Sequence, residues 1–476
     1  MENAEQKNVL CVDLDYTLIS TDILAEQVIR FIKKNPLKLF IIFIWLFKSK
    51  QNLKKRLYEL TKNESSNLPY RKEVLDFLSN AKNNNHKIVL VTASLQPIAE
   101  RVQSELNLFD EVYGSNNDHN LKGKNKAKFL AQKFGVKNFD YIGDSISDFP
   151  IWAVAQKAYL VSNSNLLNFL VKNKKNFAGN LLSQRTKLRD FFKLIRLHQW
   201  IKNLLIFLPL LLAHQFENLV AIQNSILAFF AFSFLASSLY IFNDIVDCEN
   251  DRNHPLKRNR PIAKGLFSLY TGFFIGLSVL ITSLLIAFFI GVNFFIVCAF
   301  YLVLNIIYSF WVKQIAVVDI FLLSLFYVIR LYAGSEATSI PISNWLLAFS
   351  MFFFLSLATF KRYSDLKLSF TQNNNLNSPY SRDSLNFFQT FGISSSFASV
   401  IVFILYINSE KVFSLYKHPS FLWLDAFLLL LWMMVIWNLA TKSKVEYDPI
   451  LVSVKNPYLV LLEVIMIVVW LMAFAL

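Results

Sequence analysis

Two carboxylates, two residues apart, follow the first β-rich run of the chain, VLCVDLDYTL. They belong to Asp13 and Asp15, with Thr17 beyond them. A carboxylate at the end of a buried strand can attack phosphorus, and a second one nearby can protonate the leaving oxygen and later activate water. Two aspartates that cap a turn would also explain the pattern when it is taken alone.

Three later segments add groups that suit phosphate chemistry. KIVLVTAS ends a strand at Thr92, LKGKNKAKFL contains Lys126, and FDYIGDSISD ends a further strand with Asp144 and Asp148. Together with DxDxT and in this order, these segments resemble the haloacid dehalogenase-like phosphohydrolases.

That resemblance implies a nucleophile in Asp13 and a general acid/base in Asp15, with phosphate contacts from Thr92 and Lys126. It also implies Mg²⁺ among Asp13, Asp15, Asp144 and Asp148. Magnesium prefers carboxylate and phosphate oxygens, which agrees with this assignment. Lys122 and Lys124 remain neighbouring candidates for the lysine, and Tyr16 stands where these proteins most often have glycine.

A second constellation, NDxxDxxxD, directly follows an apolar stretch and consists of Asn243, Asp244, Asp247 and Asp251. Carboxylates beside a membrane are costly unless they bind something. Their spacing predicts one helical face, where their mutual repulsion would be relieved by a divalent cation that bridges to a diphosphate. Cations suited to phosphate follow: Arg252, His254, Lys257, Arg258, Arg260 and Lys264. A solvated loop of mixed charge would explain the basic residues but not the ordered acids.

The elements that position these groups fall into two regions. Residues 1–185 alternate β-rich runs with helix-like segments, which predicts an α/β Rossmann-like domain with a helical cap at about 23–70. Within the cap, the apolar segment from Leu37 to Phe47 is too short to span a bilayer. It is compatible with a helix in the membrane interface or with a buried cap helix.

Residues 186–476 are predicted to form an all-α polytopic membrane domain, because the chain is 54% hydrophobic with a mean hydropathy of +0.39. The first span is short, so it must recruit Trp200, Ile201 and Lys202 or be broken. We predict nine spans, near 204–213, 226–242, 268–290, 292–311, 315–333, 345–360, 392–407, 421–440 and 457–476.

The net charge of +15 lies largely in loops between spans, which favours membrane topology and phosphate ligands over nucleic acid. Loops on one side carry many lysines and arginines, whereas the other side carries only Lys411 and Lys417. The positive-inside rule therefore predicts a cytoplasmic N-terminal domain and an external C-terminus in a bacterial-type inner membrane. No cleavable signal peptide is visible.

The NDxxDxxxD motif and the nine spans resemble the UbiA superfamily of intramembrane prenyltransferases over residues 188–476. The second motif, expected after the sixth span, is KRYSDL here, with Lys361, Arg362 and Asp365 in place of a second aspartate-rich run. This basic motif, IRLHQWIKNLLIFLPLLL and HPxKxxRPIAxG resemble the branch that makes decaprenyl-phosphate phosphoribose. Leu197 and Asp365 depart from the proline and glutamate usual in that branch.

The second resemblance implies that phosphoribosyl pyrophosphate and Mg²⁺ bind the aspartate motif, while a polyprenyl phosphate enters from the bilayer. Catalysis is then expected from Asp244 and Asp247, and metal binding from these two and Asp251. The predicted substrate-binding residues of this domain are Asn243, Lys202, Lys257, Arg260, Lys361 and Arg362. Arg330, costly inside a span, is expected to face the cavity or to pair with Asp319 or Glu336.

The leading hypothesis is a magnesium-dependent fused enzyme whose membrane domain makes a polyprenylphosphoryl phosphoribose and whose soluble domain removes a phosphate from it. The expected partners are a membrane lipid and a phosphorylated small molecule, without nucleic acid. One alternative is transfer of a prenyl group from a prenyl diphosphate to an aromatic acceptor. A non-catalytic lipid-phosphate carrier is the other.

Overall fold

The structure is a computed structural model that describes residues 8–61, 68–116, 120–182, 187–255, 257–371, 380, 382–442 and 448–475. These residues form two compact units. The first comprises Met1–Leu197 and Tyr240–Ser278, and the second His198–Leu239 and Val279–Leu476. The predicted domain boundary at residue 185 lies outside the described residues.

A six-stranded parallel sheet organises the first unit, as the alternating pattern predicted. The strand order is β3-β2-β1-β4-β5-β6, that of a doubly wound fold. The strands are β1 Val9–Val12, β2 Lys87–Leu95, β3 Glu111–Ser115, β4 Phe139–Gly143, β5 Ala158–Leu160 and β6 Phe177–Asn180.

Helices connect these strands and precede the membrane spans. They are α1 Ile23–Lys34, α2 Leu39–Lys48, α3 Lys50–Thr61, α4 Lys72–Asn83, α5 Gln96–Leu106, α6 Lys124–Phe134, α7 Phe149–Val154, α8 Asn165–Lys172 and α9 Leu188–Leu194. The first three lie in the predicted cap, between β1 and β2. Leu10 and Val12 of β1 pack with α4 and α5, whereas Cys11 packs on the opposite face with α6 and α7. Both faces of the central strand are therefore buried.

Long apolar helices make up the rest of the chain. After a 3₁₀ stretch at Leu197–Phe207, they are α10 Leu208–Leu212, α11 Leu219–Val246, α12 Cys248–Asn253, α13 Leu269–Ile290, α14 Val292–Phe310, α15 Val318–Thr338, α16 Asn344–Thr371, α17 Ser384–Ile407, α18 Glu410–Leu415, α19 Leu422–Thr441, α20 Pro449–Lys455 and α21 Pro457–Ala475.

Within the described ranges, eight helical segments are long and apolar enough to cross a membrane. A ninth span is possible where Leu188–Leu194 and Leu197–Leu212 meet at a bend of 53°. This confirms the predicted count of about nine and the prediction that the first span is either extended or broken.

Two details of the predicted elements are corrected. The aspartate motif does not lie on one uninterrupted helix, because α11 ends at Val246, α12 begins at Cys248, and Asp247 stands between them. KRYSDL does not follow the sixth span as a loop but continues its helix, since α16 extends to Thr371.

Candidate active sites

The parallel sheet brings the predicted phosphatase residues to one edge. Val12 at the end of β1 pairs with Leu90 on β2 and with Ile142 on β4. Since carboxyl ends of parallel strands share an edge, Asp13 and Asp144 emerge beside Thr92. The predicted end of the second strand at Thr92 was wrong, because β2 runs on to Leu95. The spacing of the motifs in the sequence does not determine which residues of β1 pair with those of β2 and β4. The order of the strand-like segments nevertheless predicted that these side chains would share one edge.

Asp13 is held by two contacts. Its Oδ1 accepts a hydrogen bond of 2.7 Å from the backbone N of Leu14, and its Oδ2 lies 2.8 Å from Nζ of Lys126. Lys126 is only 2% exposed and also donates to the hydroxyl of Tyr141 at 3.1 Å. Burial alone would lower the pKa of Lys126, but the carboxylates of Asp13, Asp148 and Asp144 more than offset it and raise this pKa. The ammonium therefore stays charged beside Asp13.

Of the three lysines considered from the sequence, only Lys126 is buried against a carboxylate. Lys122 and Lys124 are exposed. The first turn of α6 thus orients one of them into the site.

Asp13, Asp144 and Asp148 each offer an oxygen, and these oxygens lie within 4.8 Å of one another. Burial, followed by the neighbouring carboxylates Asp148 and Asp13, raises the pKa of Asp144 well above its usual range. Burial and Asp13 also raise the pKa of Asp148. Three gathered oxygens whose charges repel each other fit a small divalent cation.

Asp148 is already held by its own loop. It accepts hydrogen bonds at 3.1 Å from the backbone N atoms of Asp144 and Ser145, and one at 3.2 Å from the hydroxyl of Tyr141. Its buried side chain therefore also orients the loop that carries Asp144.

Asp15 does not belong to the group formed by Asp13, Asp144 and Asp148, and its two oxygens are bound elsewhere. Its Oδ1 accepts from the backbone N of Ile23 at 2.9 Å, and its Oδ2 accepts from the hydroxyl of Ser94 at 2.9 Å. Burial, with repulsion from Asp22 and Asp13, raises the pKa of Asp15 to about 7 despite these two hydrogen bonds. A carboxyl that titrates near neutrality can both give and take a proton, as a general acid/base must.

Tyr16 occupies the position where a glycine was expected. Its φ is 57°, in the left-handed region that glycine adopts without strain. The carbonyl of Tyr16 accepts a hydrogen bond from Nε of Arg71 at 3.3 Å. Arg71 and Ser94 are residues that the sequence reading missed. Ser94 was signalled only by its place two residues after Thr92.

Thr92 is fully buried, and its hydroxyl accepts from the backbone N of Ser94 at 3.0 Å. Thr17 donates to Asp144 at 3.3 Å. Both threonines therefore lie at the same strand edge as the carboxylates.

The aspartate motif also belongs to the first unit, and two of its acids, Asp244 and Asp251, are paired with guanidinium groups. Asp244, only 2% exposed, is ion-paired with Arg196 and lies 3.1 Å from Nη1 of Arg260. The same Nη1 lies 2.6 Å from Oδ2 of Asp251, so Arg260 bridges the two acids. Burial raises the pKa of Asp251, although Arg260 acts against this. The sequence reading did not assign Arg196 to the site.

A ladder of ion pairs joins the motif to the phosphatase cap. Arg252 lies 2.6 Å from Glu26, Arg30 donates to both carboxylate oxygens of Glu249 at 2.8 and 3.0 Å, and Lys33 lies 2.9 Å from Asp247. Residue numbers rise along α1 as they fall from α12 to Asp247, so the two segments run antiparallel. We call these three pairs the α1–α12 ladder.

Among the described residues, Asp244, Asp247 and Asp251 do not gather into a metal-type group like that of Asp13. Asn243 and Asp244 lie in the last turn of α11, Asp251 lies on α12, and Lys257 is exposed on the 3₁₀ turn that follows. Because the acids are held by cations, an arriving diphosphate would find guanidinium groups already in position.

In the second unit, Lys202 is ion-paired with Asp448, which caps α20 by accepting from the backbone N of Ile450 at 3.2 Å. Burial tends to raise the pKa of Asp448, but Lys202 and Lys361 together lower it. Lys361 forms no hydrogen bond or ion pair with the described residues. The two lysines and Asp448 therefore form one electrostatic cluster, and Asp448 was missed in the sequence reading.

Arg362, the other cation of KRYSDL, is ion-paired with Asp319, which also accepts a hydrogen bond from Tyr380. Arg330 does not pair with Asp319 or Glu336, which corrects that expectation. Instead it donates to Asn203 at 2.8 Å, to Tyr301 at 2.9 Å and to the carbonyl of Phe326. Asn203 also donates to Ser233 at 2.9 Å, so Arg330 lies in a satisfied structural network.

Comparison with known proteins gives two family matches. The profile of the UbiA prenyltransferase family matches residues 204–449, and that of haloacid dehalogenase-like hydrolases matches residues 10–152. An uncharacterized protein of Sinorhizobium fredii, y4nM, is 31% identical over 456 residues, which is 95% of this chain and 88% of that protein.

Two further similarities cover part of the chain. A decaprenyl-phosphate phosphoribosyltransferase of Mycobacterium tuberculosis is 37% identical over 181 residues, which is 37% of this chain and 60% of that protein. A UbiA homolog from Archaeoglobus fulgidus, solved with GPP and Mg²⁺, aligns at 17% identity with a TM-score of 0.46, over 60% of this chain and 98% of that one.

Both resemblances drawn from the motifs are thereby confirmed, as is the prediction of a multi-pass membrane enzyme. The protein is a transferase that carries a phosphatase-type domain at its N-terminal end. The chain belongs to the UbiA prenyltransferase family, with a haloacid dehalogenase-like hydrolase domain fused ahead of its membrane spans.

Proposed function

We propose that the membrane domain transfers a phosphoribosyl group from phosphoribosyl pyrophosphate to a polyprenyl phosphate, and that the phosphatase domain removes the 5-phosphate of the product. The α1–α12 ladder is the observation that supports coupling of the two activities, because it joins the phosphatase cap to the aspartate motif of the transferase. The similarity to a decaprenyl-phosphate phosphoribosyltransferase supports the choice of substrates.

In the transferase step, an oxygen of the lipid phosphate attacks the anomeric carbon, and pyrophosphate leaves with the electrons of the broken C–O bond. The guanidinium groups of Arg196 and Arg260 both contact the carboxylate of Asp244. When the donor binds, they are suited to contact pyrophosphate oxygens instead. Lys202, Lys361 and Arg362 supply the further positive charge that a reaction between two anions needs. Asn243, Asp247 and Lys257 complete the proposed donor site.

In the phosphatase step, Asp13 attacks the phosphorus of a phosphomonoester and Asp15 gives a proton to the leaving alcohol. Asp15 then takes a proton from water, which attacks phosphorus and releases inorganic phosphate from Asp13. Lys126 offsets negative charge on the transferring group, and Thr92 contacts its oxygens. The raised pKa of Asp15 supports this role.

We propose that Mg²⁺ serves both sites. Asp13, Asp144 and Asp148 would hold it in the phosphatase, with Asp15 beside them, and Asp244, Asp247 and Asp251 would hold it in the transferase. Bound there, the ion would neutralise phosphate oxygens and orient the group that is transferred. The gathered oxygens of the first set support the metal in the phosphatase.

The N-terminal domain is proposed to lie in the cytoplasm and the C-terminus outside, in a bacterial inner membrane. The distribution of lysine and arginine between loops supports this orientation. Both sites would then face the compartment that holds phosphoribosyl pyrophosphate, and tethering would raise the local concentration of the intermediate near the phosphatase.

The test incubates membranes carrying wild type, Asp13→Asn or Asp244→Asn with labelled phosphoribosyl pyrophosphate and a polyprenyl phosphate. Lipid products are identified by mass. Wild type should give a lipid-linked ribose without its 5-phosphate, Asp13→Asn the phosphorylated form, and Asp244→Asn no labelled lipid. Lys124→Ala, which changes an exposed lysine, serves as the control.

If wild type and Asp13→Asn give the same fully phosphorylated lipid, the coupled scheme is wrong. Prenylation of an aromatic acid from a prenyl diphosphate, without phosphoribosyl transfer, would favour the alternative transferase. Wild type that forms no labelled lipid, together with full function of Asp244→Asn in cells, would favour a lipid-phosphate carrier.

A further inference from the structure

Helix α2 of the cap exposes an apolar face that no described residue of the chain covers. Leu37 just before it is 80% exposed, Phe40 75%, Ile44 55% and Phe47 90%. Helical spacing places Phe40, Ile44 and Phe47 on one side of α2, and Leu37 lies in the 3₁₀ turn directly before it. We call these four side chains the α2 face.

The opposite side of the same helix is packed. Ile42 and Trp45 are buried in a cluster with Phe31, Leu53 and Leu57, and the rings of Phe31 and Trp45 are 5.4 Å apart. This packing explains why α2 forms as part of the cap. It does not explain why the other side keeps four large apolar side chains in contact with water, which is unusual for a soluble surface.

The helix is tied to the end of a membrane span. α11 has 28 residues and is therefore about 42 Å long, more than the roughly 30 Å of a bilayer's hydrocarbon core. Its last turn thus reaches the headgroup level, and Asp247 follows directly. Lys33 contacts Asp247, and Leu37 is only four positions further along the chain, a reach of at most about 14 Å.

A lysine bounds the α2 face at each end, as in helices that lie on membranes. Lys38 and Lys48 are exposed and stand at the two ends of α2. Lysine and arginine at the rim of an apolar face favour anionic lipid headgroups.

We propose that α2 lies in the interface of the bilayer that the chain itself spans, with the α2 face among the acyl chains. A soluble protein partner would have to find this face, whereas the bilayer is already held next to it by α11. Resting on the proposed phosphatase function, this docking would hold the cap at the level of lipid headgroups, where the lipid-linked phosphomonoester of that function lies.

The docking is tested on the full chain in nanodiscs of mixed neutral and anionic lipid. Phe47→Cys and Ile44→Cys are labelled with an environment-sensitive fluorophore, with Val136→Cys as a control. Val136 is 59% exposed and precedes β4, so it lies at the amino ends of the parallel strands, whereas the cap follows the carboxyl end of β1. Cys11, Cys248 and Cys298 are buried, so labelling is directed to the introduced thiol.

Brominated acyl chains should quench the labels at 44 and 47 several-fold more than the label at 136. Equal weak quenching at all three positions overturns the proposal. Labels at 44 and 47 that are shielded from aqueous quenchers but not quenched by lipid also overturn it, because a protein partner then covers the face. Neither readout depends on enzyme activity. A failure of membrane docking can therefore be told apart from a failure of the proposed function.

The substrate class is tested with Phe40→Ser/Phe47→Ser. Hydrolysis of a lipid-linked phosphomonoester should fall about tenfold relative to wild type, while hydrolysis of a short water-soluble phosphomonoester stays unchanged. An equal loss on both substrates, or no loss on either, overturns the assignment to lipid-linked substrates.

Discussion

Nζ of Lys33 in the phosphatase cap lies 2.9 Å from Oδ1 of Asp247 in the aspartate motif of the membrane domain. The two residues are more than two hundred positions apart in the chain, yet Glu26–Arg252 and Arg30–Glu249 continue the same antiparallel ladder. Along α1 the order of charges is acid, base, base, and the facing segment answers with base, acid, acid, so a shifted register would place like charges together. The cap and the motif are therefore mechanically linked.

Reversing one charge of the ladder should weaken this link, and reversing its partner should restore it. Arg30→Glu places two carboxylates together in a partly buried contact and should lower stability by about 1–2 kcal/mol. The double variant Arg30→Glu/Glu249→Arg should recover most of the loss. The measurement is the apparent Tm in detergent at a fixed scan rate.

Lys72→Glu, which makes the same charge change at an exposed site on α4, is the matched control and should leave Tm unchanged. A double variant no more stable than Arg30→Glu alone would mean that the ladder does not hold the two segments together.

Lys126 is expected to be essential to the phosphatase, because it is the buried cation among three carboxylates. Lys126→Ala should lower the rate of phosphomonoester hydrolysis by roughly 100-fold, as loss of a charge-stabilising group usually does. Initial rates across a Mg²⁺ titration measure this. Lys124→Ala on the same helix should behave as wild type, and comparable losses in the two variants would contradict the assignment.

Much of the phosphatase site could be predicted from the sequence, because its motifs end strands. Once VLCV, KIVLV and FDYIG are recognised as neighbouring parallel strands, the side chains after them must meet at one edge. The left-handed Tyr16 was not predictable, since a tyrosine carries no signal for φ of 57°.

The membrane-domain contacts were less predictable, because they depend on which helices pack together. The sequence signalled that Arg330 needs a partner but not that it is Asn203, which lies in a stretch bent at 53° from the preceding helix. Arg196 lies in the segment IRLHQWIKNLLIFLPLLL but was given no role there, and Asp448 belongs to no motif. Their roles follow from tertiary pairing with Asp244 and Lys202.

Arg260 should matter to donor binding because one guanidinium bridges Asp244 and Asp251. Arg260→Ala should lower kcat/KM for the diphosphate donor by roughly 10- to 100-fold, the range expected for a lost charge-assisted hydrogen bond. Arg260→Lys should recover only part of this, since an ammonium lacks the planar fork. The measurement is donor-dependent transfer to lipid, with the neighbouring exposed Arg258→Ala as control. If Arg260→Ala and Arg258→Ala have equal effects, Arg260 does not bind the donor.

The Lys202–Asp448 pair leads to a prediction about pH. Both side chains are largely buried, so Asp448→Asn leaves the Lys202 charge without its counter-ion and should cost about 3 kcal/mol. Lys202 and Lys361 together outweigh burial and hold the pKa of Asp448 below its usual range in the folded protein. The stability that this carboxylate contributes is therefore fully present above its unfolded pKa of about 3.9, and is lost as pH falls through the lower folded value.

The gap in unfolding midpoint between wild type and Asp448→Asn should accordingly stay constant from pH 8 to pH 5 and close only below about pH 4. Asp383→Asn, at an exposed aspartate before α17, should show no gap at any pH. A gap that already closes between pH 8 and pH 6 would mean that another group controls the pair. Once Asp448 is protonated, the wild-type carboxyl and the asparagine amide are both neutral. If the unfolding midpoints of the two proteins then coincide in acid, the difference at higher pH is due to the charge of Asp448 and not to its packing.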